Sequence, residues 1–506
     1  MFNEDKNKVY LRQAQKDNGS LLGRVLSVCQ SQGIQFDDPS FGPQAATPCY
    51  FRPGLPNIKW ARTSQLCGSE ARLFGKVDPS SLKQGLLAGP YFLSALTCLA
   101  QHPTLITRLF AQDSNCKEGV YSVWIQVDGH WREQLIDDWL PVFPNREGLS
   151  IAGTQSSDGE LWPMLLEKAY AKAWGGYDTI DGGNTLHTIR DLTGAPYSVF
   201  KEIEDGDVLW ERLGAATGRN WVVVCQAHNS SDWHVVSGVR GDGKVREVSI
   251  SKTWIPLSTF VKDTSSMAVF MTEPSFFFNS VTSTEVQSMF SFTLSKMTDL
   301  TISLDQPDKR SRLDNDDYQL SYFRLTIGKL SEEDVLFVDS KLSAQKSFFL
   351  SDELPEGEYI VLVEAYPSDQ SAPMDYTVGI YASNPTLIRH SEVSQGLFGR
   401  TEYMIWNNFA RNNRSSFEAR QSKQSSLDSR ELSGFDFGVT LQAYFNDTAD
   451  TVVLEFEQLA STGLDSYFER VLSDKRRELV VGPKDCKIVL HKINPRAGAY
   501  RSGHVL

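Results

Sequence analysis

Cysteine is scarce in this chain. Seven are scattered over 506 residues, at Cys29, Cys49, Cys67, Cys98, Cys116, Cys225 and Cys486. The count is odd and no C-x-x-C pair occurs, which argues against a zinc ribbon and a disulfide framework and suits a reducing compartment. Long apolar runs are missing too: none reaches the roughly 18–20 residues that a spanning helix needs. The opening MFNEDKNKVY is polar and mixed in charge, unlike a signal peptide. Phe2 stands where myristoylation needs a glycine. There is no D-x-D-x-D-G loop closed by a glutamate, hence no EF-hand. Positive charge is in deficit, 50 Lys and Arg against 63 Asp and Glu for a net −13, which argues against binding nucleic acid by neutralising phosphates. The densest basic run, DKRRE (474–478), is expected to be a solvated turn. The expectation is a cytoplasmic protein with no transmembrane segment and no nucleic-acid partner.

What is present is an ordinary globular balance, 41% apolar and 22% charged, enough to fill several cores. Residues 1–33 read as an arm followed by a helix. Residues 34–275 mix helices at 90–101 and 161–173 with a hairpin at 119–141, and strands dominate from about 197. From 276 to 385, short alternating strands with turn punctuation predict an antiparallel β-sandwich. A connector rich in Asn, Arg and Ser (407–433) follows, its Ser-rich part (415–433) expected to be a mobile loop. Within 386–506 a second sandwich-like β unit is expected after it.

The stretch LKQGLLAGPYFLSAL (82–96) runs from a glycine-rich turn into an apolar helix. A thiol protease places its nucleophile in such a turn, because a helix N-terminus lowers a thiol's pKa. It also needs a histidine to pair with the thiolate, a polar group to orient the imidazole and a donor for the oxyanion. Several separate segments resemble the calpain family, whose nucleophile motif is QG-x-LGDCWFL. Gln84, Gly85, Leu86 or Leu87, Phe92 and Leu93 fit that frame. LWPMLLEKAYAKAWGGY (161–177), DGG (181–183) and DLTG (191–194) follow at family spacing. FDDPSF (36–41), Trp60-Ala61-Arg62 and the hairpin ending DDWLP (137–141) fit as well.

The resemblance implies an α+β fold. Its parts are a papain-like, two-lobed calpain core (34–195 and 196–275) and C2-like antiparallel β-sandwiches. It also implies a degenerate site. Pro90 stands at the nucleophile, Gly89 at the preceding aspartate, Lys252 at the orienting asparagine. His234, in DWHVVSGV, falls at the histidine, and Gln84 keeps the oxyanion position. Family members bind calcium partly through an acid three residues before the QG motif, here Ser81, and through the glutamate of LLEKAYAK, here Glu167. One missing carboxylate makes calcium unexpected, leaving Glu167 as a remnant and no cofactor expected. The acidic stretches RLDNDD (312–317) and LSEEDV (330–335) are expected to be solvated loops.

The expectation is therefore a pseudoenzyme of the protist type, a structural component of a microtubule-based assembly such as a ciliary or flagellar axoneme. Its partners would be proteins such as tubulin and other axonemal components. The alternatives are a regulatory membrane- or peptide-binding module and an unconventional calcium-dependent cysteine protease. Membrane-surface contact has no basic cluster to support it.

Overall fold

A computed structural model describes residues 21–45, 51–67, 71–146, 148–201, 206–228, 230, 232–241, 246–311, 318–332, 334–368, 374–392, 394–419, 427–434, 436–437, 439–457, 464–467, 470–471, 476–493 and 495. The chain divides into two compact units, Met1–Phe276 and Phe277–Leu506.

In the first unit, α1 (Leu21–Gln32) buries Leu22 and Cys29. Helix α2 (Pro90–Leu99) buries Phe92, Ala95, Leu96 and Leu99 on one face, at the i, i+3, i+4, i+7 spacing of an amphipathic helix. The hairpin of β1 (Val120–Val127) and β2 (His130–Asp137) turns at Asp128-Gly129, both with positive φ, the backbone a two-residue type I′ turn requires. Helix α3 (Trp162–Ala173) is buried along most of its length. Asn184 caps α4 (Thr185–Thr193) by accepting from the amides of Leu186 (2.8 Å) and His187 (3.2 Å), and Gly194 ends it at φ +69°.

The second lobe is a six-stranded antiparallel sheet of β3 (Tyr197–Lys201), β4 (Val222–Ala227), β5 (Trp233–Gly241), β6 (Arg246–Ile250), β7 (Thr253–Pro256) and β8 (Thr264–Phe270). Its order is β7-β6-β5-β4-β8-β3. Two further helices, α5 (Gly206–Gly218) and α6 (Leu257–Asp263), lie in this stretch, which the sequence reading treated as strands. Their apolar residues Leu209, Leu213, Leu257 and Phe260 share a core with Val223, Cys225 and Val236 of the sheet. Val222, Val224 and Val235 instead join the core of α2 and α3. The sheet is thus covered on both faces.

The scattered sequence blocks of the first lobe meet in one buried ionic network. The Lys168 ammonium reaches the Asp137 carboxylate and the Trp139 carbonyl (2.6 Å). Asp137 also accepts from the amides of Asp38 (2.7 Å) and Trp139 (3.0 Å). Lys172 pairs with Asp38 (2.7 Å). Asp138 takes Arg62 and the Thr63 hydroxyl (2.6 Å). Lys168 and Asp137 are 0% and 1% exposed, so each charge is tolerated only because the other is there.

The second unit opens with a β-sandwich. One sheet has the order β9-β16-β11-β14, from β9 (Phe277–Ser283), β11 (Thr298–Asp305), β14 (Ser347–Leu354) and β16 (Tyr376–Ala382). The other runs β13-β12-β15-β10-β17, from β10 (Gln287–Leu294), β12 (Tyr322–Leu330), β13 (Val335–Ser343), β15 (Gly357–Tyr366) and β17 (Arg389–Ser391). Helix α7 (Gln395–Asn412), capped by Ser394, occupies the start of the expected connector. Beyond it, β18 (Glu418–Ala419), β19 (Asp428–Gly434), β20 (Val439–Phe445), β22 (Leu464–Tyr467) and β25 (Cys486–Ile493) form a sheet of order β18-β19-β20-β25-β22. Strands β21 (Val452–Glu457), β23 (Arg470–Val471) and β24 (Arg476–Val481) form another, ordered β21-β24-β23.

Two expectations are corrected here. Residues 428–434 are a strand paired with β20, not loop, while 420–426 lie outside the described residues. Arg476, Arg477 and Glu478 of DKRRE belong to β24, not to a turn, and residues 474–475 lie outside the described set. Arg324 (β12) meets Glu364 (β15) and Glu402 (α7), and Lys492 (β25) pairs with the same two carboxylates at 2.8 and 2.7 Å. This buried quartet ties the sandwich, the helix and the last sheet together.

Candidate functional site

Pro90 is the first residue of α2, preceded by Gly89 at φ −68°, ψ 172°. Proline suits that position, because its missing N–H has no intrahelical partner and its fixed φ matches helix entry. A cleft of about 450 Å³ opens beside it, lined in part by Tyr91, Asp181, Asn184, Gln226, Asp232 and Trp233. A Cβ on Gly89 would come within 2.5 Å of the Asp181 carbonyl oxygen, so the backbone approach here needs glycine.

His234 is not in the cleft. In β5 it pairs with Cys225 of β4, and Cys225 belongs to the α5–α6 core. Side chains alternate along a strand, so His234 lies on the sheet face away from α2. Trp233 occupies the side facing Pro90: it packs against the α2 core and its carbonyl accepts from the Ser94 hydroxyl (2.8 Å). The residue that the sequence reading put at the histidine position is therefore one place off in space, and the tryptophan was missed.

Ser251 and Lys252 form the two-residue turn between β6 and β7, at φ +46° and +73°. The Lys252 ammonium lies 3.9 Å from Asp78. Hydrogen bonds from Ser80 hold the Asp78 carboxyl below its ordinary range, with Lys252 adding to this. Gln84 is exposed, and its amide nitrogen donates to the Ala88 carbonyl (2.6 Å), bracing its own loop.

Glu167 is sealed under this loop. Its carboxylate accepts from the Thr154 amide (2.8 Å), and a Cβ on Gly153 would sit 2.7 Å from its Oε1. Burial pushes its pKa up to about 7, against hydrogen bonds from Thr154 and Ala88 that lower it. Ser81 supplies no charge: its hydroxyl donates to the Asp78 carbonyl (2.8 Å) and meets the Ser156 hydroxyl (3.0 Å). A lone, partly protonated carboxyl does not fit a hard divalent cation, and among the described residues no cluster of three or more His, Cys, Asp or Glu could hold a metal. Asp334 of LSEEDV is engaged by Asn408 (3.1 Å) and Arg411 (3.5 Å); RLDNDD lies outside the described residues.

Among the described residues no thiol lines the cleft. Burial pushes every described cysteine upward: Cys29, Cys67 and Cys116 are raised, Cys225 and Cys486 reach about 12, and Cys98 lies higher still. Cys98 sits deep in α2, its sulfur 3.8 Å from the Trp233 carbonyl. Cys49 lies outside the described residues.

Comparison with known proteins places this geometry. The calpain family cysteine protease profile matches residues 36–247. Calpain-14 of Homo sapiens is 30% identical over 227 residues, covering 43% of this chain and 32% of that protein. Calpain-8 of Rattus norvegicus is 31% identical over 174 residues, 33% of this chain and 24% of its own. Calpain-B of Drosophila melanogaster is 28% identical over 232 residues, 45% and 24% respectively. The matched region thus spans between a quarter and a third of the length of these relatives. The LLEKAYAK helix, the DD-x-LP hairpin and the glycine-rich turn all lie inside the segment, residues 36–247, that is similar to calpain family cysteine proteases.

Proposed function

We propose that this chain does not cleave peptides by the thiol mechanism of its family and serves as a structural component. The observation that carries the reading is Pro90 at the first position of α2. A proline ring offers no nucleophile where the mechanism needs a thiolate. Trp233 in place of an imidazole and six described thiols all held in the protonated form support the same reading.

What remains is a set of well-packed bodies. The ionic network around Lys168 and the quartet around Arg324 invest buried charge in fixed geometry. A scaffold within a microtubule-based cytoskeletal assembly, such as an axoneme, uses such bodies for their surfaces. Two measurements test this. Purified protein, with and without calcium, is expected to leave casein and fluorogenic peptides intact; turnover abolished by alkylating cysteines would overturn the non-catalytic reading. In cells the protein is expected in the detergent-insoluble cytoskeletal fraction, and its recovery wholly in the soluble pool would refute the scaffold assignment.

A further inference from the structure

The sandwich of the second unit carries a slot along one flank, where the Leu342 amide donates to the Asp436 carbonyl (2.7 Å). Strand β13 is the outer strand of its sheet and β14 the outer strand of the facing sheet. Between them lies a slot of about 340 Å³, lined by Asp339, Lys341, Phe349, Ser351 and Asp436 among others. Asp339 stands opposite Ile327 and Lys341 opposite Leu325 on β12. Both partners belong to the sandwich core, so the two charged side chains share the inward face. The Lys341 ammonium lies 6.0 Å from the centre of the Phe348 ring, itself a core residue.

An inward charge on an outer strand discourages edge-to-edge pairing. That role needs a charge, and Asp339 alone would meet it. It does not account for the state of the amine. Elsewhere in this unit the buried Lys346 pairs with Asp308 at 3.2 Å and Lys492 with Glu364 at 2.8 Å, while the half-buried Lys329 lies over the Tyr359 ring at 5.7 Å. Lys341 has no carboxylate within 4.0 Å among the described residues. Burial draws its pKa below the ordinary lysine range, partly offset by the charges of Asp339 and Asp436. Burial also raises the Asp339 carboxyl, with Asp352 adding to the effect. A desolvated amine with a weakly held proton is the form in which lysine acts as a nucleophile.

We propose that Lys341 is an acyl-acceptor site, its ε-amine at the mouth of the slot taking an acyl group from an acyl thioester. The amine nitrogen attacks the thioester carbonyl carbon; the C–N bond forms and the C–S bond breaks. The thiolate leaves, and the proton shed by nitrogen passes to it, with Asp339 placed to relay it. The product is a neutral amide, which removes the Lys341 charge from between Asp339 and Asp436.

The test uses the full chain and acetyl-coenzyme A, with site-resolved mass spectrometry over time. Lys341 is expected to be acetylated at least about threefold faster than the exposed Lys83, Lys117 and Lys296, because the free-amine fraction sets the rate. Unfolding the chain in urea is expected to erase that advantage. Lys341→Arg is expected to lose the modification while keeping the melting temperature. Labelling of Lys341 no faster than the exposed lysines, or an advantage that persists in urea, would overturn the assignment.

Discussion

Removing the charge under the glycine-rich loop should change how the first unit responds to pH. The Glu167 carboxyl moves from an ordinary 4.5 to about 7, chiefly because burial disfavours its ionised form. Between those values the folded chain holds a proton that the unfolded chain has released, so stability falls as pH rises from 4.5 to 7. At about 1.4 kcal/mol per unit, the full penalty above pH 7 is about 3 kcal/mol. Glu167→Gln keeps the oxygen that accepts from Thr154 and cannot ionise. The variant should match the parent near pH 4.5 and exceed it by up to about 3 kcal/mol at pH 8. Guanidinium unfolding followed by tryptophan fluorescence isolates the effect, because Trp406 is the only one of 11 tryptophans beyond residue 276. The quantity to plot is the variant-minus-parent difference, in which other groups such as Asp137 cancel. A difference that stays flat from pH 5 to 8 would show that Glu167 is stabilised as a carboxylate, and the reasoning would fail.

Lys168→Met should cost about 3–5 kcal/mol, because it strands the buried Asp137 charge; Asp137→Asn in the same chain should recover part of the loss in thermal unfolding. Arg324→Met should destabilise the second unit by a similar amount, about 3–5 kcal/mol. It should also split the unit's calorimetric transition, since Arg324 joins strands of the sandwich to Glu402 of α7. The surrounding cations hold Glu364 down at about 2 against the cost of burial. The stability it contributes should therefore be present above pH 4.5 and lost as pH falls towards 2. Ser251→Asn with Lys252→Gly relieves two side chains held at positive φ and should raise stability by about 1 kcal/mol. The exposed contact with Asp78 that it removes is worth little.

Much of the first lobe is legible because its motifs are mutually dependent. FDDPSF, Trp60-Ala61-Arg62, DDWLP and LLEKAYAK lie far apart in sequence. Asp38, Arg62, Asp137, Asp138, Lys168 and Lys172 nevertheless form one network. None can change alone without stranding a buried charge, so each keeps a recognisable form. The second unit is less legible. Strand β13, VLFVDSKLS, carries inward-facing Asp339 and Lys341 where a clean alternation would have apolar residues, and it escaped the pattern search. Helix α5 lies among strands, and only Leu209, Leu213 and Ala216 of its residues are buried, a stripe too thin to stand out.

The site shows a different limit. A strand covered on one face announces its orientation by alternating apolar and polar residues. Strands β4 and β5 are covered on both faces, so VVVC and VV read as continuous apolar runs and carry no parity. A resemblance that aligns His234 with a catalytic histidine is then free to be wrong by one residue, and one residue is the difference between the two faces of a sheet. The two faces differ in what a thiol at the start of α2 would meet. Pro90→Cys puts a thiol at the start of α2 but finds Trp233 opposite, with His234 behind the sheet. That variant should fold and fail to cleave. Pro90→Cys combined with Trp233→His puts both groups on the same side of the sheet, and any single-turnover acylation by a peptide ester should appear there first. Equal acylation in the Pro90→Cys single variant would mean that His234 can reach the cleft after all.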